Sequence, residues 1–357
     1  MFWKKYQLLI LFGVGLAIRI FSLFPSWVEQ WYSQGLYPVV SIVQRFLFGW
    51  IPFSFGDIVY GSAVIYLIVS LYNFICTLIK RKVNRGYLYG AAKKIVLIAL
   101  WIYVLFNICW GLNYNRLGIA RQLGLEVTPY TTEELTTLVN ATIDKLLELD
   151  TIGIQHRDAL GRKRNLFSAA VGAYDNVRTQ WDFLTYKRPS VKPSLYSYLG
   201  NYMGYTGYYN PFTGEAQVNT TVPLTQTPFT TCHEIGHQLG FAREMEANFA
   251  GFLSARVSDD PAVRYSVYFD LYIYASRNLL IRDSALARSL HQRVPAIARK
   301  DLRDLRDFYK KYENPFEPII RMLYGQYLKA NEQPQGILSY DEVVAWVIAY
   351  QRKYGSI

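Results

Sequence analysis

Between Thr231 and Phe249 the chain reads TCHEIGHQLGFAREMEANF, and its chemically capable residues are concentrated in His233, Glu234 and His237. On a helix, residues four apart lie one turn above each other on the same face, so His233 and His237 can offer two imidazole nitrogens to a single ion. Glu234 flanks that ion, where its carboxylate can hold a water and take its proton as general base. This HExxH spacing is the signature of zinc-dependent peptide hydrolysis. The whole chain has only 4 histidines, which makes the pairing a specific signal.

Catalytic zinc usually takes three protein ligands and leaves its fourth position to water, so a third donor is required. Glu244 is the expected one. An unbroken helix would carry it about 10 Å farther along the axis than His237. The helix should therefore end near Gly240, which can adopt the left-handed conformation that closes helices, and the chain should fold back. A second helix from about Ala242 would put Glu244 in its first turn, with Asn248 one turn on, behind the ligands. Glu246 is the rival ligand, but two residues from Glu244 it faces well away on a helix. Cys232 points about 100° from His233 and reads as a small buried hydrophobe. For the donor that stabilises a developing oxyanion, Tyr205, Tyr208, Tyr209 and Arg243 are nearby in sequence, and spacing does not choose among them. His156 and His291 read as surface or packed residues, either of which could assist the transition state.

HEIGH followed closely by EMEANF resembles the compact glutamate zincins, in which a glutamate on the next helix completes a His, His, Glu triad. Their E-x-x-A-[DN] signature matches Glu244, Ala247 and Asn248. The resemblance implies Zn2+ on His233, His237 and Glu244, Glu234 as base, a peptide or protein substrate, and a zincin-like α+β unit. A metzincin pattern, HExxHxxGxxH, fits through Gly240 and fails at Arg243. Membrane helices, then GYYNPFTGEAQVN, then the HExxH helix make a layout similar to an uncharacterised bacterial family of unknown function. That similarity would cover nearly the full chain; it implies a membrane-tethered metallopeptidase and supplies no substrate. The alternative is a catalytically inactive zinc-binding membrane protein acting as a sensor or binding module. The intact Glu234 argues against it, because a structural zinc site has no use for a base and closes its fourth position with Cys or His.

Of the 357 residues 51% are apolar and 16% aromatic, high for a soluble protein of this length. Ile58 to Ile79 and Ile95 to Asn115 carry no charge and are long enough to cross a bilayer. Tyr6 to Phe24, interrupted only by Arg19, is a third candidate, read as an anchor because no clear small-x-small cleavage site follows. Lys80, Arg81, Lys82, Arg85, Lys93 and Lys94 mark the loop between the two uncharged spans as cytoplasmic. Three crossings then place the chain beyond about Asn115 outside the cytoplasm. The expected organisation is a membrane domain over 1–113 with three transmembrane helices, a linker over 114–130, and an extracytoplasmic zincin-like metallopeptidase domain over 131–357. Residues 1–112 hold ten Lys or Arg against two Asp or Glu and supply +8 of the formal +11. The basic balance is thus a topology signal, and no basic helix or aromatic RNA-binding signature accompanies it, so nucleic acid is not an expected partner. Cys76 and Cys109 fall in the membrane helices, so no disulfide framework is expected.

The expected fold class is mainly α, with a small sheet beside the HExxH helix. Tyr37 to Trp50 is too short to span; it reads as interfacial or re-entrant, or as a loop helix packed on the membrane helices. Thr131-Thr132-Glu133-Glu134 starts a helix running through Leu149, and a second is expected over Asn165 to Leu184. Asn210 to Gly214 reads as a turn and Glu215 to Asn219 as a strand, either placed by resemblance as the edge that pairs with an extended peptide or part of a plain hairpin in the core. Helices follow over Pro261 to Ile281, Ser284 to Tyr312 with a break near Pro295, Pro315 to Ala330, and after Ser339-Tyr340-Asp341-Glu342. The absence of intramembrane acidic residues and of paired repeats argues against a transporter.

Overall fold

The computed structural model describes residues 2–333 and 342–357, and helices dominate it. Helix α1 (Phe2–Ser22) turns by 98° into α2 (Pro25–Phe48), whose middle stretch Val28–Leu36 is wound as a π-helix. Such wide turns are rare and tend to sit at functional sites. Here the stretch buries Glu29, Tyr32 and Ser33. Helices α3 (Phe55–Ile79) and α4 (Arg85–Cys109) have 25 residues each, about 37 Å of rise against a hydrocarbon core of roughly 30 Å. Two helices are therefore long and apolar enough to cross a membrane, or three if α1 and α2 form one broken span.

The start of α3 is fixed twice. Ser54 Oγ accepts from Asp57 N at 3.1 Å, and the buried Glu215 carboxylate accepts from Phe55 N at 3.2 Å and Gly56 N at 2.6 Å. A carboxylate at a helix N-terminus satisfies orphan amides and meets the positive end of the dipole. Asp57 in turn accepts from Leu195 N and from the Tyr208 hydroxyl. One end of α3 is thereby held to the sheet.

Helix α5 (Thr132–Arg157) begins with a capping box between Thr131 and Glu134. Its Leu135, Leu138, Ile143 and Leu146 fall at helical spacing and are fully buried, each worth about 1.5–3 kcal/mol of burial. They face the helix over Pro261–Arg282 in the main core, to which α6 (Lys163–Val177) also contributes. The helix expected to reach Leu184 stops at Val177; Trp181 intervenes and Asp182–Leu184 is a 3-10 turn.

Three short strands form the sheet: β1 (Val191–Pro193), β2 (Gly207–Asn210) and β3 (Glu215–Val218), with α7 (Ser197–Met203) between β1 and β2. The order is β1-β3-β2, with β1 parallel and β2 antiparallel to β3. Of the two expectations for Glu215 to Asn219, this bears out the hairpin in the core and corrects the peptide-binding edge. As the middle strand, β3 spends both backbone edges on its neighbours, so the edge facing the site belongs to β2.

The remaining helices of eight or more residues are α8 (Thr227–Gln238), α9 (Glu244–Ala255), α10 (Pro261–Arg282), α11 (Ser284–His291), α12 (Ala296–Tyr312), α13 (Glu317–Ala330) and α14 (Val343–Tyr354). Ser339, Tyr340 and Asp341 lie outside the described residues. The stretch Tyr37 to Trp50 is helical over Tyr37–Phe48; it packs on α4, as the loop-helix expectation has it, and it also docks on the end of α8.

Candidate metal centre

Every residue of α8 is buried, so the HExxH side chains work inside the protein. His233 Nδ1 lies 2.7 Å from Asn248 Oδ1, and His237 Nδ1 lies 2.8 Å from the carbonyl of Phe241. With oxygen acceptors opposite them, both Nδ1 atoms carry the proton and both Nε2 lone pairs point to the centre. Glu244 Oε2 stands there, 3.3 Å from His233 Nε2 and 3.6 Å from His237 Nε2. Two ligand atoms at zinc bond lengths and a tetrahedral angle are about 3.4 Å apart, so both distances from Glu244 Oε2 match an edge of one zinc tetrahedron.

Local sequence dictates this convergence. Phe241 N donates to Gly236 O at 3.2 Å and Gly240 N to His237 O at 2.9 Å, the paired bonds of a Schellman motif. Gly240 has φ 86°, the left-handed conformation that its place demanded. Arg116 Nη1 holds the Gly240 carbonyl at 3.0 Å and pairs with buried Glu29. Helix α9 then opens with Glu244 in its first turn, and Asn248 one turn on reaches His233.

Glu234 lines the cavity beside the centre, and its Oε2 has no hydrogen-bond partner among the described residues. The ligand atoms of His233, Glu234 and His237 lie within 4.8 Å of one another. Glu234 is thus close to the pair, while the oxygen at coordination spacing from both nitrogens is that of Glu244. Strand β2 presses on this carboxylate: a Cβ on Gly207 would fall 2.6 Å from Glu234 Oε1. Burial pushes the Glu234 carboxyl up to about 7, opposed by the two histidines and reinforced by Glu244. Burial also works against a charged Glu244, yet hydrogen bonding and charge at His233 and His237 outweigh it and hold the carboxyl well below its usual range. His237 is disfavoured as a cation by burial, but Glu244 and Glu234 bring it up to about 9. The centre is built to hold positive charge.

A surrounding layer fixes these groups, and sequence spacing gave no sign of it. Tyr324 of α13 donates to Glu244 Oε1 at 2.9 Å, leaving Oε2 for the histidines, and Gln333 Oε1 accepts from Glu244 N at 2.9 Å. At the end of α8, the Gln238 carbonyl accepts from Tyr37 Oη (2.9 Å), Ser41 Oγ (3.1 Å) and Arg45 Nη1 (3.2 Å) of α2. Trp110 Nε1 donates to His237 O at 3.2 Å. These donors satisfy terminal carbonyls that an isolated helix leaves open. They come from within residues 1–113, so that segment and the motif share one buried contact.

The other candidates separate cleanly. Glu246 is buried against Gly118, away from the histidines. Cys232 packs in the core, its thiol pushed up to about 12 by burial. Tyr209 turns to Tyr37 and Trp110, and Arg243 donates to Tyr114 O at 3.2 Å. Tyr205 and Tyr208 do line the cavity, with their hydroxyls donated to Tyr196 O and Asp57. His291 pairs with Tyr272, His156 is exposed, and neither lines the cavity.

The cavity holds about 1060 Å³ and runs from His233, Glu234 and Asn248 past Tyr205–Tyr208 to α3, α7 and α13. Asp270 of α10 also lines it, buried and accepting from Gln226 Nε2 at 2.9 Å. Burial pushes the Asp270 carboxyl up to about 7, with Gln226 opposing.

No curated protein and no solved structure matches the chain. The family model described as "Protein of unknown function (DUF3810)" matches residues 32–348, from within the π-helical stretch into the last helix. The chain belongs to that DUF3810 family.

Proposed function

We propose that the protein is a membrane-anchored, zinc-dependent metallopeptidase of zincin-like design, with its site on the extracytoplasmic side. The observation that carries the reading is the donor set: two Nδ1-protonated histidines and one Glu244 oxygen at tetrahedral spacing, with an unpartnered carboxylate beside them. Three protein donors leave a fourth position open, as catalytic zinc requires. When bound, zinc supplies Lewis-acid polarisation and a nucleophile usable at neutral pH.

The chain's own residues then do the following. Asn248 and the Phe241 carbonyl fix the two imidazoles, and Tyr324 fixes the rotation of Glu244. Glu234 takes a proton from the attacking water and returns it to the departing amine. The edge of β2, with Gly207 against Glu234, can pair with an extended substrate backbone. Extracytoplasmic placement is supported by the basic loop between α3 and α4.

The test is cleavage of a peptide library by the full-length protein in nanodiscs, comparing wild type with Glu234→Gln. Cleavage by wild type and a loss of about 10²–10⁴-fold in the variant is expected. Zinc binding without cleavage in either protein would instead favour a non-catalytic sensor or binding module.

A further inference from the structure

The cavity has two chemically different ends. One holds His233, Glu234 and Asn248; the other is walled by Gly61, Val64 and Ile65 of α3. Ile65 lies ten residues beyond Phe55, on the order of 15 Å down a helix that is long and apolar enough to cross a membrane. A cavity that leads only to water has no reason to use such a wall. Opposite α3 stand Leu199 and Met203 of α7 and Ile320 and Leu323 of α13.

The outer faces of those same two short helices are apolar and exposed. Leu195 and Tyr198 at α7 are 54% and 71% exposed, and Ile319 and Met322 of α13 are 52% and 58% exposed, and none of the four lines the cavity. A contiguous apolar collar of this kind marks a surface that meets membrane or a partner, and its continuity with α3 selects membrane. The Glu317–Arg321 pair of α13, 3.5 Å apart, also lines the cavity, so that wall carries a polar patch next to the apolar residues. The cavity mouth therefore lies at the bilayer surface, between α3 and the α7 and α13 helices.

We propose that the site takes its substrate sideways from the membrane: a polypeptide with an apolar anchor, either an acyl chain or a membrane-spanning segment. The anchor lies against Val64, Ile65, Leu199 and Leu323 while the adjoining backbone runs along β2 to Glu234. The cleavage step rests on the metallopeptidase reading above. It adds a water across the C–N bond, leaving a carboxylate on one product and an amine, protonated through Glu234, on the other. The binding step does not depend on that reading.

The experiment uses full-length Glu234→Gln protein in lipid vesicles, with a photo-crosslinking residue replacing Ile65. It is offered one degenerate peptide library in three forms: free, N-palmitoylated, and fused to a leucine-rich membrane helix. Capture of at least one anchored form should exceed the free form by about tenfold or more. The form captured tells which anchor is used. Leu199→Glu and Leu323→Glu, at exposed positions that leave the core intact, should bring anchored capture down to the free level. Enrichment by simple partitioning into the vesicle would ignore those substitutions. Equal capture of free and anchored forms, no capture of any, or anchored capture indifferent to both substitutions would overturn the proposal. Wild-type protein is assayed for cleavage in parallel. Anchored capture without cleavage would overturn the peptidase reading alone, and cleavage with no preference for anchored forms would overturn this inference alone.

Discussion

The two sides of the candidate metal centre are built differently. On one side, α8, the Gly240 turn and the start of α9 bring His233, His237 and Glu244 together within twelve residues of chain. On the other, Tyr37, Ser41 and Arg45 of α2, Trp110, Arg116 and Tyr324 come from up to about two hundred residues away in sequence. The near side supplies every group that can bind or transfer a proton. The far side supplies only hydrogen bonds to backbone carbonyls and to the outer oxygen of Glu244. Chemistry is thus local and rigidity is borrowed, so damage to the two sides should differ in kind: abrupt loss of function against graded loss of affinity or stability.

The comparison can be broken at its strongest point first. His237→Ala should abolish zinc binding and activity, while Glu234→Gln should keep zinc and lose about 10²–10⁴-fold in rate, measured by metal analysis and peptide hydrolysis. Next is the buried Glu29–Arg116 pair, 2.7 Å between Arg116 Nη2 and Glu29 Oε1. Arg116→Met should destabilise by about 3–5 kcal/mol, because it strands a buried carboxylate and frees the Gly240 carbonyl. Restoring stability with Glu29→Gln in the same chain, read by denaturant unfolding, would assign the loss to that stranded charge.

Asp270 gives a pH test in metal-free protein. Its pKa is raised from 3.8 to about 7 by burial, so the folded state holds a proton that the unfolded chain releases. This contribution is fully present below about pH 4 and disappears as pH rises to about 7, by on the order of 4 kcal/mol at most. Asp270→Asn should flatten that part of the stability–pH curve; an unchanged slope would show that Asp270 ionises normally. Smaller effects belong to the far side. Tyr324→Phe removes one bond to Glu244 and should weaken zinc affinity about 10–100-fold, seen by chelator competition, with the fold intact. Tyr37→Phe leaves Ser41 and Arg45 on the Gln238 carbonyl and should cost about 1 kcal/mol in unfolding free energy.

This contrast also explains what could be read from the sequence. His233, Glu234, His237, the Gly240 stop and Glu244 were legible because helical spacing and glycine conformation are local rules. The uncharged run Ile58 to Ile79 lies within α3 and was legible for the same reason, whereas the run Ile95 to Asn115 leaves α4 at Cys109 and ends in a buried 3-10 turn over Gly111–Asn115. Tyr324 and Trp110 carry no spacing signal toward the motif, and only tertiary packing brings them there. The middle place of β3 was hidden because strand order depends on partners far apart in sequence, and a four-residue strand carries no mark of edge or centre. The docking of α2 on α8 was missed because its buried face, Tyr37, Ser41, Gln44 and Arg45, is mostly polar and was outweighed by the apolar residues around it.

The central claim is that His233, His237 and Glu244 form one metal centre that Glu234 serves without holding it. Zinc content of full-length protein, compared among wild type, Glu234→Gln, Glu244→Gln and Glu246→Gln, tests it most directly. The account predicts equimolar zinc in wild type, Glu234→Gln and Glu246→Gln, and its loss in Glu244→Gln. Zinc retained in Glu244→Gln, or lost in Glu246→Gln with the fold intact, would contradict it.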